Sequence, residues 1–132
     1  MSVYLERAQE LRASVEPHYN CAQSVLVPFA ESTGMSCEQA CALAQGFGGG
    51  MQTGNACGAY TGAVMALGVL GLASHENVVA LTERLRERND GVLMCADLLQ
   101  ANAQAGGEKK PFCDALVYNS VELVEELLTA AQ

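Results

Sequence analysis

The fold of this chain is decided by its middle stretch, which reads GNACGAYTGAVMALGVLGLA and spans residues 54–73. Small residues recur there at every fourth position (Gly54, Gly58, Gly62 and Ala66), so a helix would carry a smooth stripe on which another backbone can pack closely. The 18 residues 56–73 carry no charge, a length near the lower limit for a membrane span. Their glycines and small side chains instead favour a helix buried at the centre of a bundle.

The segments on either side of this stretch also have helical periodicity. Apolar residues three or four apart mark a first helix (Tyr4, Ala8, Leu11, Val15) and a last one (Val117, Val121, Val124, Leu128). Capping-box pairs predict two further helix starts, at Asn20 with Gln23 and at Ser36 with Gln39. No segment alternates like a strand. We therefore predict a single all-α domain over residues 1–132, a compact bundle of six or seven helices around the Gly-rich central helix.

A Gly-rich stretch, GFGGGMQTG at residues 46–54, interrupts the helices ahead of the centre, because helices disfavour so many glycines. It is neither a dinucleotide fingerprint nor a P-loop, since no strand precedes it and no Gly-Lys-Ser/Thr follows. Its backbone amides could form a nest that holds an anion. We expect Asn55 to cap the central helix, and a shorter helix over residues 92–99 to contain Cys95.

Charge and composition exclude several classes of function. The 132 residues include seven basic and fifteen acidic side chains, a net charge of −8, so no dense basic face for nucleic acid can form. Charges at Glu6, Arg7 and Glu10 exclude a signal peptide. We predict a cytoplasmic protein without a membrane span, in a compartment where thiols stay reduced. Six cysteines in that setting point to a metal, catalysis or redox exchange rather than to structural disulfides.

Four cysteines lie far apart in the chain and near predicted helix starts. Cys21, Cys57 and Cys113 each fall in the first turn of a predicted helix, where free amides and the helix dipole lower the pKa of a thiol. Cys95 is expected inside its helix. Thiols in such positions can share a metal or cluster, exchange disulfides, or pack in the core as small apolar side chains. The residues alone leave these three alternatives open.

Glycines near these thiols leave space for a bound group. Gly58 and Gly62 follow Cys57 on the central helix, and Gly48 and Gly49 lie in the Gly-rich stretch that leads to it. Because glycine has no side chain, a cluster, a metal or another backbone can come close to the sulfur. We therefore expect these four glycines to border a cofactor.

Two further cysteines, Cys37 and Cys41, are four residues apart and share one helix face. That spacing could hold one edge of a metal site, but no histidine lies nearby for a zinc site. We expect one of them near the surface and the other in the core. His18 precedes Cys21 by three residues and could join a site, although a place in the turn after Pro17 is the simpler interpretation.

Several of these motifs, in this order, resemble a known family. They are NCAQSVL (residues 20–26), GFGGGM (46–51), CGAYTG (57–62), a lone Cys95, and a Cys113 that opens the final helix. The chain resembles, from about Tyr19 to Leu128, the C-GCAxxG-C-C family of small proteins to which redox activity is ascribed. Ala56 stands where the family name has a glycine before the cysteine. The resemblance implies that Cys21, Cys57, Cys95 and Cys113 are the four family cysteines and that Cys37 and Cys41 lie outside the pattern.

Three hypotheses for function follow. The first is a redox protein whose four cysteines (Cys21, Cys57, Cys95 and Cys113) converge to bind an iron–sulfur cluster or another thiophilic metal. The second is metal-free thiol–disulfide exchange with Cys57 as the attacking thiolate. The third is a helical interaction module whose Gly54–Gly58–Gly62 face packs on a partner or, in a homodimer, on a second copy. The first two also require a redox partner, whose identity the residues do not indicate.

Overall fold

The computed structural model describes residues 2–132, which form seven α-helices and no β-strand. The helices are α1 (Val3–Ala13), α2 (Cys21–Ser32), α3 (Cys37–Ala44), α4 (Gly58–Val69), α5 (His75–Arg88), α6 (Cys95–Gln104) and α7 (Lys109–Ala130). The prediction of an all-α bundle of six or seven helices is confirmed.

Helices α2 and α4 form the centre of the bundle. Helix α2 packs most extensively on α4 and also contacts α1, α3 and α7, whereas α4 also contacts α5 and α7. Val25, Leu26 and Phe29 of α2 are fully buried, as are Ala63 and Leu67 of α4. Burial of each large apolar side chain contributes roughly 1.5–3 kcal/mol, so this pair of helices dominates the core. Over residues 2–132, no helix combines the length and the apolar character that crossing a bilayer would require.

The glycines of α4 permit this close packing. A Cβ added at Gly62 would lie 2.7 Å from the carbonyl oxygen of Ala22, and one at Gly58 would lie 3.0 Å from that of Phe47. The α4 backbone therefore rests directly on α2 and on the segment before it. The smooth stripe predicted from the sequence is used within the chain, so Gly58 and Gly62 do not present a free face to a partner protein.

Two helices begin later than the sequence patterns predict. Helix α4 has Cys57 at its N-cap rather than Asn55, and α6 begins at Cys95 instead of near Val92. The reason is a short antiparallel contact between residues distant in sequence, Ala56 and Met94. The N–H of Cys57 donates to Leu93 O at 2.8 Å, and the N–H of Cys95 donates to Asn55 O at 2.6 Å. Since these backbone groups bond across the fold, α4 cannot begin before Gly58 and α6 cannot begin before Cys95.

The Gly-rich stretch forms two tight turns between α3 and α4. A 3₁₀ turn covers Gln45–Phe47, and residues 49–52 all have positive φ. Met51 and Gln52 have φ of 59° and 61°, a left-handed conformation that side chains disfavour. Gly50 is required here, because a Cβ at that position would lie 2.8 Å from the Cβ of Cys95. The turn therefore packs directly against α6 at one of the four family-pattern cysteines.

Candidate functional site

All four predicted site cysteines line one cavity of about 480 Å³ between the starts of α2, α4 and α6 and the first turns of α7. This cavity, which we call the thiol cavity, is bordered by Cys21, Cys57, Cys95 and Cys113. Its volume lies within the range of small-molecule sites. The sequence placed these residues at intervals of up to 38 positions, and the fold brings them together.

Local structure positions the first cysteine as expected. Cys21 is the first residue of α2, and the predicted capping box is present, with Asn20 and Gln23 bonded to each other's backbone. The side chain of Asn20 also donates to Gln45 O at 3.1 Å. The cap thus fixes both the start of α2 and the turn that follows α3.

The positions of the other three cysteines differ in detail from expectation. Cys57 is the N-cap of α4, and Cys95 is the first residue of α6 rather than an interior one. Cys113 is the fifth residue of α7, so it lies beyond the first turn that the sequence analysis assigned to it. The prediction failed there because α7 begins at Lys109, two residues before Pro111. The antiparallel contact between Ala56 and Met94 holds Cys57 and Cys95 side by side.

A buried ion pair borders the cavity and was not anticipated. The guanidinium of Arg12 bonds Asp114 Oδ1 at 2.7 Å and Tyr19 O at 3.0 Å, and its side chain is only 6% exposed. Lys110 Nζ donates to Arg12 O at 2.9 Å and also pairs with Asp114. The only feature of the sequence that indicated this pair was the position of Arg12, four residues after Ala8 on the apolar face of the first helix. Arg12 places a fixed positive charge beside the thiols.

The thiols of Cys21 and Cys113 both border the cavity, and each shifts the pKa of the other in the opposite direction. Contact with Cys21 lowers the pKa of Cys113 to about 7, and the nearby cations of Arg12 and Lys109 act in the same direction against burial. Contact with Cys113 and burial raise the pKa of Cys21, although Arg12 opposes that rise. We assign the negative charge to Cys113, because Lys109 is among the main influences on its pKa and is not among those on the pKa of Cys21.

The other two thiols of the cavity are held neutral. Cys57 is only 6% exposed, and this burial raises the pKa of its thiol. The backbone N–H groups of Tyr60 and Ala59 oppose the rise. Those N–H groups face the sulfur without completing a capping hydrogen bond. Burial and the charge of Cys113 raise the pKa of Cys95, and Lys109 opposes them. The fold therefore singles out Cys113 as the most acidic thiol of the four.

The four glycines expected beside a cofactor fall into two groups. Gly49 and Gly58 line the thiol cavity. Gly62 instead lies against Ala22, and Gly48 faces the side chain of Asn20, which an added Cβ would approach to 2.7 Å. His18 also lines the cavity, from the exposed turn that follows α1. A role for Gly48, Gly49, Gly58 and Gly62 in cofactor binding stays a prediction.

The ligand chemistry of the cavity suits thiophilic metals, since its donors are four thiols. As the side chains stand in the structure, no three of the described Cys, His, Asp or Glu residues are arranged as ligands of one metal ion. All six cysteines are free thiols.

The two remaining cysteines lie apart from the thiol cavity, on α3. Cys37 and Cys41 are both half-buried, so the expectation that one of them is a core residue was wrong. Their Sγ atoms are 3.8 Å apart. Burial, followed by contact with Cys37, raises the pKa of Cys41 to about 11. Helix α3 packs on α2 but leaves this face partly open, which explains why neither thiol is fully covered.

Comparison with known proteins gives one match. The model of the C-GCAxxG-C-C family, described as "putative redox-active protein", matches residues 19–127. The matched range includes all six cysteines and every helix except α1, although α7 extends three residues beyond it. No curated protein and no solved structure matches the chain.

Proposed function

Since the chain belongs to the C-GCAxxG-C-C family, we propose that the thiol cavity is its redox centre and that Cys113 and Cys21 are the reacting dithiol. The observation that carries this proposal is that both thiols border one cavity together with the other two family-pattern cysteines, where Cys21 lowers the pKa of Cys113. A dithiol needs one thiolate as nucleophile and a second thiol within reach of the first. Arg12 and Lys109 favour the thiolate on Cys113.

The proposed reaction is exchange with a disulfide-bonded substrate. The Cys113 thiolate attacks one sulfur of the substrate, which forms a mixed disulfide and releases the first substrate thiolate. Cys21 then loses its proton and attacks the Cys113 sulfur, which releases the second thiolate and leaves a Cys21–Cys113 disulfide. Two electrons pass from the protein to the substrate, and the substrate ends as two thiols. The reverse sequence reduces the protein.

Cys57, which the sequence suggested as the attacking thiol, has a different part in this proposal. Its sulfur is buried and its pKa is raised, so it is a poor nucleophile at neutral pH. The nucleophile is therefore Cys113.

Disulfide mapping tests this proposal. We expect reduced protein treated with oxidised glutathione under air-free conditions to form one dominant disulfide, Cys21–Cys113, identified by mass spectrometry of peptides. The Cys21→Ser variant should accumulate glutathione on Cys113, because no resolving thiol remains. The Cys37→Ser variant, altered outside the cavity, should behave like the unaltered protein. A dominant disulfide between other residues, or none, would overturn the proposal.

A second candidate is a redox centre in which the four cysteines hold an iron–sulfur cluster or another thiophilic metal. Its support is the donor set, because four thiolates are the usual ligands of two-iron and four-iron clusters. Cys21, Cys57, Cys95 and Cys113 would be the ligands, and the cluster would supply one-electron transfer. Arg12 and Lys109 would offset the negative charge of such a site.

Metal analysis distinguishes this candidate from thiol exchange. If a cluster is present, protein purified without air should be coloured and contain iron and acid-labile sulfide. The Cys57→Ser and Cys95→Ser variants should lose both, whereas Cys37→Ser should keep them. Colourless, metal-free protein with four titratable thiols in the cavity would exclude the second candidate and leave the first in place.

The third hypothesis, an interaction module without chemistry, loses the surface on which it was based. The stripe at Gly58 and Gly62 is buried against α2 within the chain, and Gly54 lies against Ala96. A cytoplasmic location, a homodimer and a redox partner stay proposals that the described contacts do not address.

A further inference from the structure

We propose that Cys37 and Cys41 form a second site, separate from the thiol cavity, that chelates a soft divalent cation such as Zn²⁺ or Cd²⁺. Neither residue lines the cavity, and neither has a place in the four-cysteine pattern of the family. Both thiols are free, both are half-buried on the same face of α3, and their sulfurs are near neighbours.

The distance between the two sulfurs fits a shared ion. A tetrahedral zinc with Zn–S bonds of about 2.3 Å holds two thiolate ligands about 3.8 Å apart. The Sγ atoms of Cys37 and Cys41 are 3.8 Å apart in the structure. An ion can therefore bridge them without a change in the separation of the sulfurs.

The same geometry does not favour a disulfide. Residues four apart on a helix have Cβ atoms about 5–6 Å apart, whereas a disulfide requires about 3.5–4.5 Å. Closing a Cys37–Cys41 bond would therefore distort α3. Chelation uses the helix as it stands, which is why we assign a metal rather than a disulfide to this pair.

The charges around the pair also suit a cation. Arg7 Nη2 lies 3.9 Å from the Cys37 sulfur, and Arg7 also pairs with Glu31 and Glu10. When both thiols are ionised, the thiolates of Cys37 and Cys41 and the carboxylates of Glu10 and Glu31 carry four negative charges. The guanidinium of Arg7 carries one positive charge, so the net charge of the group is −3. A divalent cation would reduce that net negative charge to −1, while Arg7 helps to stabilise the thiolates.

The helix that carries the pair is held in place. Ser36 and Gln39 form a capping box at the start of α3, and Gln23 Nε2 of α2 donates to Cys41 O at 3.0 Å. Both sulfurs are therefore presented from a fixed backbone, which lowers the entropy lost when an ion binds. Two protein ligands leave two tetrahedral positions for water or for a ligand from solution, so the site is open rather than fully enclosed.

Titration with Cd²⁺ tests the proposal, with thiolate-to-metal ultraviolet absorption as the readout. We expect the unaltered protein to bind one equivalent more than the Cys37→Ser/Cys41→Ser variant. The matched Cys21→Ser/Cys113→Ser variant, altered only in the thiol cavity, should keep that equivalent. Equal stoichiometry in the unaltered protein and the Cys37→Ser/Cys41→Ser variant would overturn the proposal, whatever the cavity binds.

A second measurement needs no variant. We expect Cd²⁺ to protect Cys37 and Cys41 of the unaltered protein from alkylation at least tenfold, as read by peptide mass spectrometry, and excess Mg²⁺ to give no protection. Alkylation of both residues at the same rate with and without Cd²⁺ would contradict the site. Because the readout is assigned residue by residue, failure here is distinguishable from failure of the redox centre at Cys113 and Cys21.

Discussion

Individual neighbours decide which thiol of the cavity has the lowest pKa. Four cysteines share one cavity, yet only Cys113 has a lowered pKa, because Cys21, Arg12 and Lys109 all favour its thiolate. Burial has the opposite effect on Cys57 and Cys95. Chemical identity alone therefore does not predict the pKa of each thiol here, whereas its burial and its neighbours do.

Replacing Lys109 tests this assignment without disturbing the core, because the residue is exposed. Lys109→Gln removes a cation that lowers the pKa of Cys113, so the pKa rises and less thiolate is present at neutral pH. We expect alkylation of Cys113 to slow about twofold to threefold there, the size of a partly screened surface charge. At alkaline pH the rates should converge, since the thiol is then ionised in both proteins.

The measurement is the rate of iodoacetamide labelling of Cys113 against pH, read by mass spectrometry. Lys110→Gln is the matched control, because the neighbouring ammonium pairs with Asp114 and is not among the charges that lower the pKa of Cys113. Equal pH profiles for Lys109→Gln and the unaltered protein would contradict the role of Lys109.

Among the helices, α4 shows how glycine spacing becomes tertiary structure. Its glycines let α2 approach until backbone meets backbone, and this places Cys21 beside the start of α4. Near the other end of α4, Gly68 faces open space and is exposed. Glycine is therefore required for packing at position 62, whereas at position 68, six residues later, no neighbour requires it.

Alanine substitutions in α4 should separate the two kinds of glycine. Gly62→Ala would set a Cβ 2.7 Å from Ala22 O, so we expect a loss of about 2 kcal/mol or more in the free energy of unfolding, as for overpacked cores. Gly68→Ala meets nothing within 4 Å, so it should gain about 0.5–1 kcal/mol from helix propensity. Urea denaturation followed by circular dichroism measures both. Equal effects of the two substitutions would refute the packing of α4 on α2.

The whole molecule is held together at the cavity by contacts between its two ends. Arg12 of α1 bonds Asp114 of α7, 102 positions later, and Tyr19 O between them. Helix α1 lies entirely outside the range matched by the family model, yet it supplies the guanidinium that acts on Cys21 and Cys113. The proposed redox centre therefore depends on α1 as well as on the segments that carry the four cavity cysteines.

Breaking this buried pair should be costly. Asp114→Asn leaves Arg12 buried without its carboxylate, and we expect the free energy of unfolding to fall by about 3 kcal/mol, the lower part of the range for such pairs. The exposed pair of Arg84 and Glu126, 3.6 Å apart, is the control, and Glu126→Gln should cost less than about 1 kcal/mol. Chemical denaturation of both variants gives the comparison. Similar losses would mean that Arg12 and Asp114 contribute no more than a surface pair.

Much of the fold could be predicted from the sequence, because its signals are local. The capping boxes at Asn20 and Ser36 and the apolar spacing of the first and last helices are decided within a few residues, and the structure contains them. The exception is Val15, which was predicted on the stripe of the first helix but is exposed, because α1 ends at Ala13. The four-cysteine pattern could also be recognised from the sequence, because each cysteine lies in a short local motif. The predicted starts of α4 and α6 were wrong because backbone hydrogen bonds between residues 55–57 and residues 93–95 had overridden the local preference.

The tertiary structure alone decided which thiols meet and how acidic each one is. The convergence of Cys21 and Cys113 on one cavity, the burial of Arg12 and the 3.8 Å separation of the Cys37 and Cys41 sulfurs all depend on side-chain placement within the packed helices. A thiol pKa depends on distance to charge and on burial, and both are set by residues far away in the chain. The amino-acid sequence on its own therefore determined the helices and the cysteine motif, whereas packing determined the chemistry at the sulfurs.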